Sequence, residues 1–277
     1  MTESVSIQPI DIQGTSDPDF IEVNGVDVAY RRAGAGAPLL FLHGMGMANS
    51  WLESHAKLAE HFDVIAAQLP GFGRTARPAW YRTLDDYVPL LADFLNALDI
   101  PKAHVVGHSL GGYVAGAFGA VYPERLLSLT LVAPLPMPVV RAPELEGGHD
   151  GPVPPNIMAI LFNDNEAAYS EYDPPADLGL FVSEADDEFA DPSAWKLDAA
   201  PGLYRHLSRI KVPTQLVVPD EDRVVPEAVF HDWARWLGDA PIVKISGTKY
   251  PTGHMLTAQE PQAFADQIVA LAERAST

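Results

Sequence analysis

The chain has 277 residues, 47% of them hydrophobic, a formal net charge of −19 and no cysteine. This length and apolar content suit one large α/β core. The charge argues against nucleic acid and anionic membranes as partners, and the missing cysteine excludes disulfides, thiolate nucleophiles and cysteine-based metal sites.

The first 18 residues hold Pro9, Gly14 and Pro18 with little periodicity, and read as a flexible N-terminal segment. They are polar and acidic, without the basic start and apolar core of a signal peptide, and no apolar run reaches spanning length. A cytoplasmic location is the expectation. Residues 20–23 and 26–30 flank Asn24-Gly25, a strong two-residue hairpin signal. A short apolar strand over 39–42 ends at His43-Gly44. A helix is predicted over 50–61 and a strand over 63–69, closed by Pro70-Gly71-Phe72-Gly73. Thr83 can cap a helix reaching about Leu98, with Pro89 requiring a kink or a late start. A buried strand over 103–106, a Gly- and Ala-rich helix over 110–122 and a strand over 127–133 follow.

The rhythm then breaks. Between Ala142 and Trp195 there are thirteen Asp and Glu and no Lys or Arg. The stretch reads as an insertion over 134–203 with a solvated acidic face, or as a charge-selective lid. Alternation resumes with a strand over 214–218, a helix over 226–237, a strand over 242–245 and a helix over 261–275. Eight strands alternating with helices predict a mostly parallel eight-stranded sheet with helices on both faces. Its core is expected over 19–133 and 204–277.

Gly107-His108-Ser109-Leu110-Gly111 fits G-x-S-x-G between a predicted strand and a predicted helix. A side chain displayed at so sharp a turn needs strained dihedrals and close neighbours, and glycine at both flanks removes the Cβ atoms that would clash. The helix N-terminus beyond it stabilises negative charge. Ser109 is the candidate nucleophile. A serine needs a base, and His254, between the last strand and the last helix, sits on a loop able to reach it. The base needs a carboxylate. Asp220, Glu221 and Asp222 compete after strand 214–218, and Asp222, four residues before the helix-opening Pro226, is favoured.

The order Ser109, Asp222, His254, together with His43-Gly44 after a strand, Leu69-Pro70-Gly71-Phe72-Gly73, Asp222-Arg223-Val224-Val225-Pro226 and Gly253-His254 before Glu260-Pro261, resembles the α/β-hydrolase family over roughly residues 20–275. The resemblance implies an oxyanion hole from the backbone N–H groups of Met45 and Leu110, a bracing rather than catalytic His43, and a mainly helical cap over 134–203. Met45, Met47, Trp51, Met137, Phe162 and Trp195 are apolar candidates for a pocket wall, each equally suited to core packing. Gln68 stands where relatives often carry Asp, which bears on a loop brace. The implied function is a serine hydrolase of small, neutral, hydrophobic esters, lactones or thioesters, with no metal or organic cofactor. Its partner would be a small-molecule substrate, and the chain a monomer or homodimer. C–C hydrolysis of a β-diketone-like substrate is the alternative reaction, and a ligand-binding receptor on the same scaffold the non-enzymatic one.

Overall fold

The computed structural model describes residues 10–11, 16–81, 86–137, 156–172 and 203–275. Eight strands form one sheet: β1 (Asp19–Val23), β2 (Val26–Gly34), β3 (Ala37–Leu42), β4 (Phe62–Ala67), β5 (Ala103–His108), β6 (Leu126–Val132), β7 (Thr214–Val218) and β8 (Ile242–Lys244). Their order is β1-β2-β4-β3-β5-β6-β7-β8. β2 runs antiparallel to β1 and β4, and every other pairing is parallel. Asn24 (φ 52°) and Gly25 (φ 81°) make the β1–β2 turn in the left-handed region, as a tight hairpin requires.

Central β3 is apolar on both faces because both are covered, while His104 of β5 is buried against Ser128 of β6 at 2.8 Å. Leu40 and Leu42 of β3 enter one core, with residues of α2 (Tyr87–Ala97), α3 (Leu110–Val121) and α5 (Glu227–Trp236). Leu39 and Phe41 enter the other, under α1 (Glu53–Ala59) and α7 (Pro261–Ala275). Two short helices complete the set, α4 (Ile157–Leu161) and α6 (Leu256–Gln259). Among the described residues no helix is long and apolar enough to cross a membrane.

Three departures from the sequence reading have physical reasons. β2 runs past Tyr30 to Gly34, pairing with Asp63–Ala67 of β4. Arg31 and Arg32 interrupt its apolar alternation but are paired. Arg32 bonds Asp63, while buried Arg31 donates to the Asn49 carbonyl (2.9 Å) and to Ser16 and lies 3.4 Å from Asp11. The second departure follows. Asp11, in the segment read as flexible, also exchanges backbone bonds with Trp51 (2.8 and 2.9 Å), which keeps Trp51 extended and delays α1 to Glu53. Third, α2 begins at Tyr87, so Pro89 falls in its first turn and causes no kink; Thr83 lies outside the described residues.

Of the expected insert, the described part is residues 134–137 and 156–172, the latter holding α4 and a 3₁₀ stretch over Glu166–Tyr172.

Candidate active site

β5 passes into α3 through the single residue Ser109, at φ 53° and ψ −115°. A non-glycine residue held there costs about 1–3 kcal/mol, so the surroundings must enforce it. They do so on both sides of the peptide unit. The Ser109 N–H donates to the Val132 carbonyl (2.9 Å), and its carbonyl accepts from Gly112 (2.9 Å), Leu135 (3.1 Å) and Tyr113 (3.2 Å). The flanking glycines are steric necessities. A Cβ on Gly107 would stand 2.1 Å from the Gly111 carbonyl oxygen, and one on Gly111 would stand 2.2 Å from that of Leu42.

The His43-Gly44 turn lies against this elbow. Gly111 N–H donates to the His43 carbonyl (3.1 Å), and the Cβ direction of Gly44 ends 3.2 Å from the Ser109 Cβ. The amide N–H groups of Met45 and Leu110 have no acceptor among the described residues. One of these donors follows the serine at the N-terminus of a twelve-residue helix, and the other follows Gly44, whose Cβ direction ends at the serine.

His254 Nδ1 is 2.8 Å from Asp222 Oδ2, with the side chains 4% and 1% exposed. The other carboxylate oxygen, Oδ1, accepts the N–H groups of Val224 and Val225, each at 2.8 Å. Burial alone would push this carboxyl's pKa up. The His254 ring and the two amides outweigh burial and hold it below the usual carboxylate range. An ionised Asp222 fixes the proton of neutral His254 on Nδ1 and leaves Nε2 as the basic nitrogen.

The rival acids are placed otherwise. Asp220 accepts from Ser246 Oγ (2.7 Å), Gly247 N–H (2.9 Å) and Thr252 N–H (3.0 Å), and braces the approach to His254. Glu221 is exposed. Among the described residues no group of three His, Asp or Glu converges as a metal site.

Two more histidines frame the site. His43 Nδ1–H donates to the Gly44 carbonyl (2.8 Å) and its Nε2 accepts the Leu69 N–H (3.1 Å), so a neutral ring ties the two loops together. His108 was not singled out from the sequence. Its Nε2–H donates to the His254 carbonyl (2.9 Å), and the two rings lie 5.0 Å apart at 38°. Only its place beside Ser109 in the motif marked it. Gln68 also braces a loop, its Oε1 accepting the Arg74 N–H at 2.7 Å.

Burial depresses His43 to about 4 and His108 and His55 to about 3. Unfolded, each would take up a proton near pH 6.5. The folded state therefore keeps its full advantage above that pH and loses it as pH falls toward 4, by about 2 kcal/mol per histidine at pH 5. Asp220 and Asp222, both held low, stay ionised there. The melting temperature is expected to drop clearly between pH 7.5 and pH 5; equal values would contradict these buried neutral rings.

The pocket-wall candidates separate. Met47 and Phe162 share a small cluster with Leu52, Met255 and Ala258, beside His254. Met137 belongs to the core over α2, α3 and α5. Trp51 is fully buried in the opposite core, its ring 5.2 Å from that of His55, so it is packing and not pocket wall. Met45 is partly exposed, and Trp195 lies outside the described residues.

Residues 37–259 match the model of the alpha/beta hydrolase fold family. The dihydrolipoyllysine-residue acetyltransferase component of the acetoin cleaving system of Cupriavidus necator is 38% identical over 133 residues, 46% of this chain and 36% of that protein. The chain spans about a third of the length of such relatives. The 2-hydroxy-6-oxo-6-(2'-aminophenyl)hexa-2,4-dienoic acid hydrolase of Metapseudomonas resinovorans is 25% identical over 274 residues, covering 92% of this chain and 90% of that one. The solved thermophilic esterase of Thermogutta terrifontis superposes with a TM-score of 0.75 at 22% identity, covering 95% of this chain and 100% of the other. With the fold, the elbow and this match over most of its length, the chain belongs to the α/β-hydrolase fold family.

Proposed function

We propose that the chain is a serine hydrolase that cleaves a small, neutral, hydrophobic carboxylic ester, lactone or thioester through an acyl-enzyme. The observation that carries this reading is Ser109 in its left-handed elbow, next to a His108 bonded to the backbone of the Asp222-paired His254. His254 Nε2 takes the Ser109 proton as Oγ attacks the carbonyl carbon. The N–H groups of Met45 and Leu110 hold the oxyanion, each donor contributing about 2.7–4 kcal/mol to the transition state. The carbonyl–heteroatom bond breaks and the leaving group carries off the proton from His254. Water, deprotonated by the same nitrogen, then releases the acid and restores Ser109. The apolar cluster of Met47, Leu52, Phe162, Met255 and Ala258, which includes the residue that follows His254 in the chain, supports an apolar acyl group.

C–C bond hydrolysis is the second reading, favoured by the near end-to-end match to a dienoic acid hydrolase. Ser109 would again attack a ketone carbonyl, with a stabilised carbanion leaving in place of an alkoxide. The test is a fluorophosphonate probe with intact-mass detection, followed by p-nitrophenyl esters of graded acyl length. One adduct on Ser109 with rapid ester turnover is expected. An adduct without ester turnover moves the reading to C–C hydrolysis or a receptor, and no adduct removes the nucleophile.

A further inference from the structure

Among the described residues, a turn at the end of α4 joins the insert to the two loops that carry Asp222 and His254. α4 ends in a tight reversal with Asn163 (φ 53°) and Asp164 (φ 57°) both left-handed, closed by the Asp164 N–H on the Ala159 carbonyl at 2.8 Å. Asn163 tolerates that backbone better than most side chains. Its Nδ2 donates to the carbonyls of Glu221 and Thr252, each at 2.9 Å. Glu221 precedes Asp222, and Thr252 stands two residues before His254. Two carbonyl oxygens can be met only by an NH₂ group, which fixes the amide's orientation. The Oδ1 has no partner among the described residues.

The same turn grips the other side of His254. The Leu161 carbonyl accepts the Met255 N–H (3.2 Å) and lies 2.5 Å from where a Cβ of Gly253 would be, so Gly253 lets the insert close on the loop. By contrast, the Arg223–Asp164 ion pair (2.8 Å) is solvent-facing, with Asp164 74% exposed, and holds little.

We propose that Asn163 is a positioning residue: the Asp222 and His254 loops are already joined by the Glu221 N–H on the Thr252 carbonyl (3.2 Å) and the Asp220 N–H on Thr252 Oγ1 (2.8 Å), and Asn163 adds the insert to that seam and trims the register of the acid–base pair. This rests on the serine hydrolase reading above. A side chain that shares its two donors between these loops sets their relative height, and a displacement of about 1 Å at such a pair can cost on the order of a hundredfold in rate.

Asn163→Gly keeps the left-handed turn and removes the amide, and Asp164→Asn keeps the turn and removes the ion pair. For Asn163→Gly we expect kcat to fall about 10- to 100-fold with KM within about twofold, and fluorophosphonate labelling of Ser109 to slow by a similar factor. The far-downfield NMR signal of the His254 Nδ1 proton, read on the full chain without substrate, should weaken or move upfield. Asp164→Asn should match the wild type in all three. Asn163→Gly with wild-type labelling and an unchanged downfield proton would overturn the inference, even if it melted at a lower temperature. A wild-type protein that takes no Ser109 adduct would instead defeat the hydrolase reading, and the downfield proton would still decide the role of Asn163.

Discussion

Ser109→Ala is expected to lower kcat by about 10⁴- to 10⁶-fold while the protein keeps its fold. Among the described residues the hydroxyl makes no hydrogen bond that holds the elbow together; the backbone bonds to Val132, Gly112, Tyr113 and Leu135 do that, and alanine retains them all. A melting temperature within about 3 °C of the wild type would accompany the loss. Ser109→Gly separates strain from chemistry. It should be equally inactive yet more stable by about 1 kcal/mol, because glycine adopts φ 53° freely. Turnover near the wild-type rate in either variant would remove Ser109 as nucleophile.

The second large effect belongs to the acid. In Asp222→Asn one side-chain atom must still face the N–H groups of Val224 and Val225, and only the amide oxygen can accept them. The NH₂ group is then turned toward His254 Nδ1. That donor forces Nδ1 to accept and moves the ring proton to Nε2, the atom that should receive the serine proton. The expected loss in kcat is about 10⁴-fold with little change in stability. Asp220→Asn should behave the opposite way. Its carboxylate joins Ser246, Gly247 and Thr252, so an amide there would cost about 1–3 kcal/mol of stability and less than about tenfold in kcat. A reversal of the two outcomes would reassign the acid. The comparison is best read by urea denaturation beside steady-state kinetics on one preparation of each variant.

The parts legible in the sequence are those whose physics is local. β3 announces itself because a strand covered on both faces must be apolar, and Gly107 and Gly111 because no side chain fits beside the Gly111 and Leu42 carbonyls. The alternation of elements then fixes the sheet and where its loops gather. Illegible were the roles set by partners distant in the chain. Arg31 lies just past the predicted 26–30 strand, yet it is buried, with its guanidinium neutralised by Asp11 and bonded to Ser16 and Asn49. Trp51, close to the His43-Gly44 turn in sequence, is turned to the far core by its backbone pairing with Asp11. Asn163 carries no signal and His108 only its place in the motif, since each acts on carbonyls of residues 58 to 146 positions away. Asp222 stands among three neighbouring acids; its place four residues before Pro226 favours it in the sequence, and its bond to His254 sets it apart in the structure.

The β6–β7 pairing, in which Leu129 meets Thr214, closes the chain around the entire insert. The entropy of such a closure grows only with the logarithm of its length, so doubling the connection would cost about 0.6 kcal/mol. The sheet is thus nearly blind to how long that connection is, provided its two ends still meet. Lengthening or rewriting it therefore comes at small cost to folding, which leaves this connection open to change by natural or laboratory selection. The exceptions are residues 134–137, where Leu135 bonds the Ser109 carbonyl and Met137 enters the core, and the turn at Leu161–Asp164, both held by the elements below them.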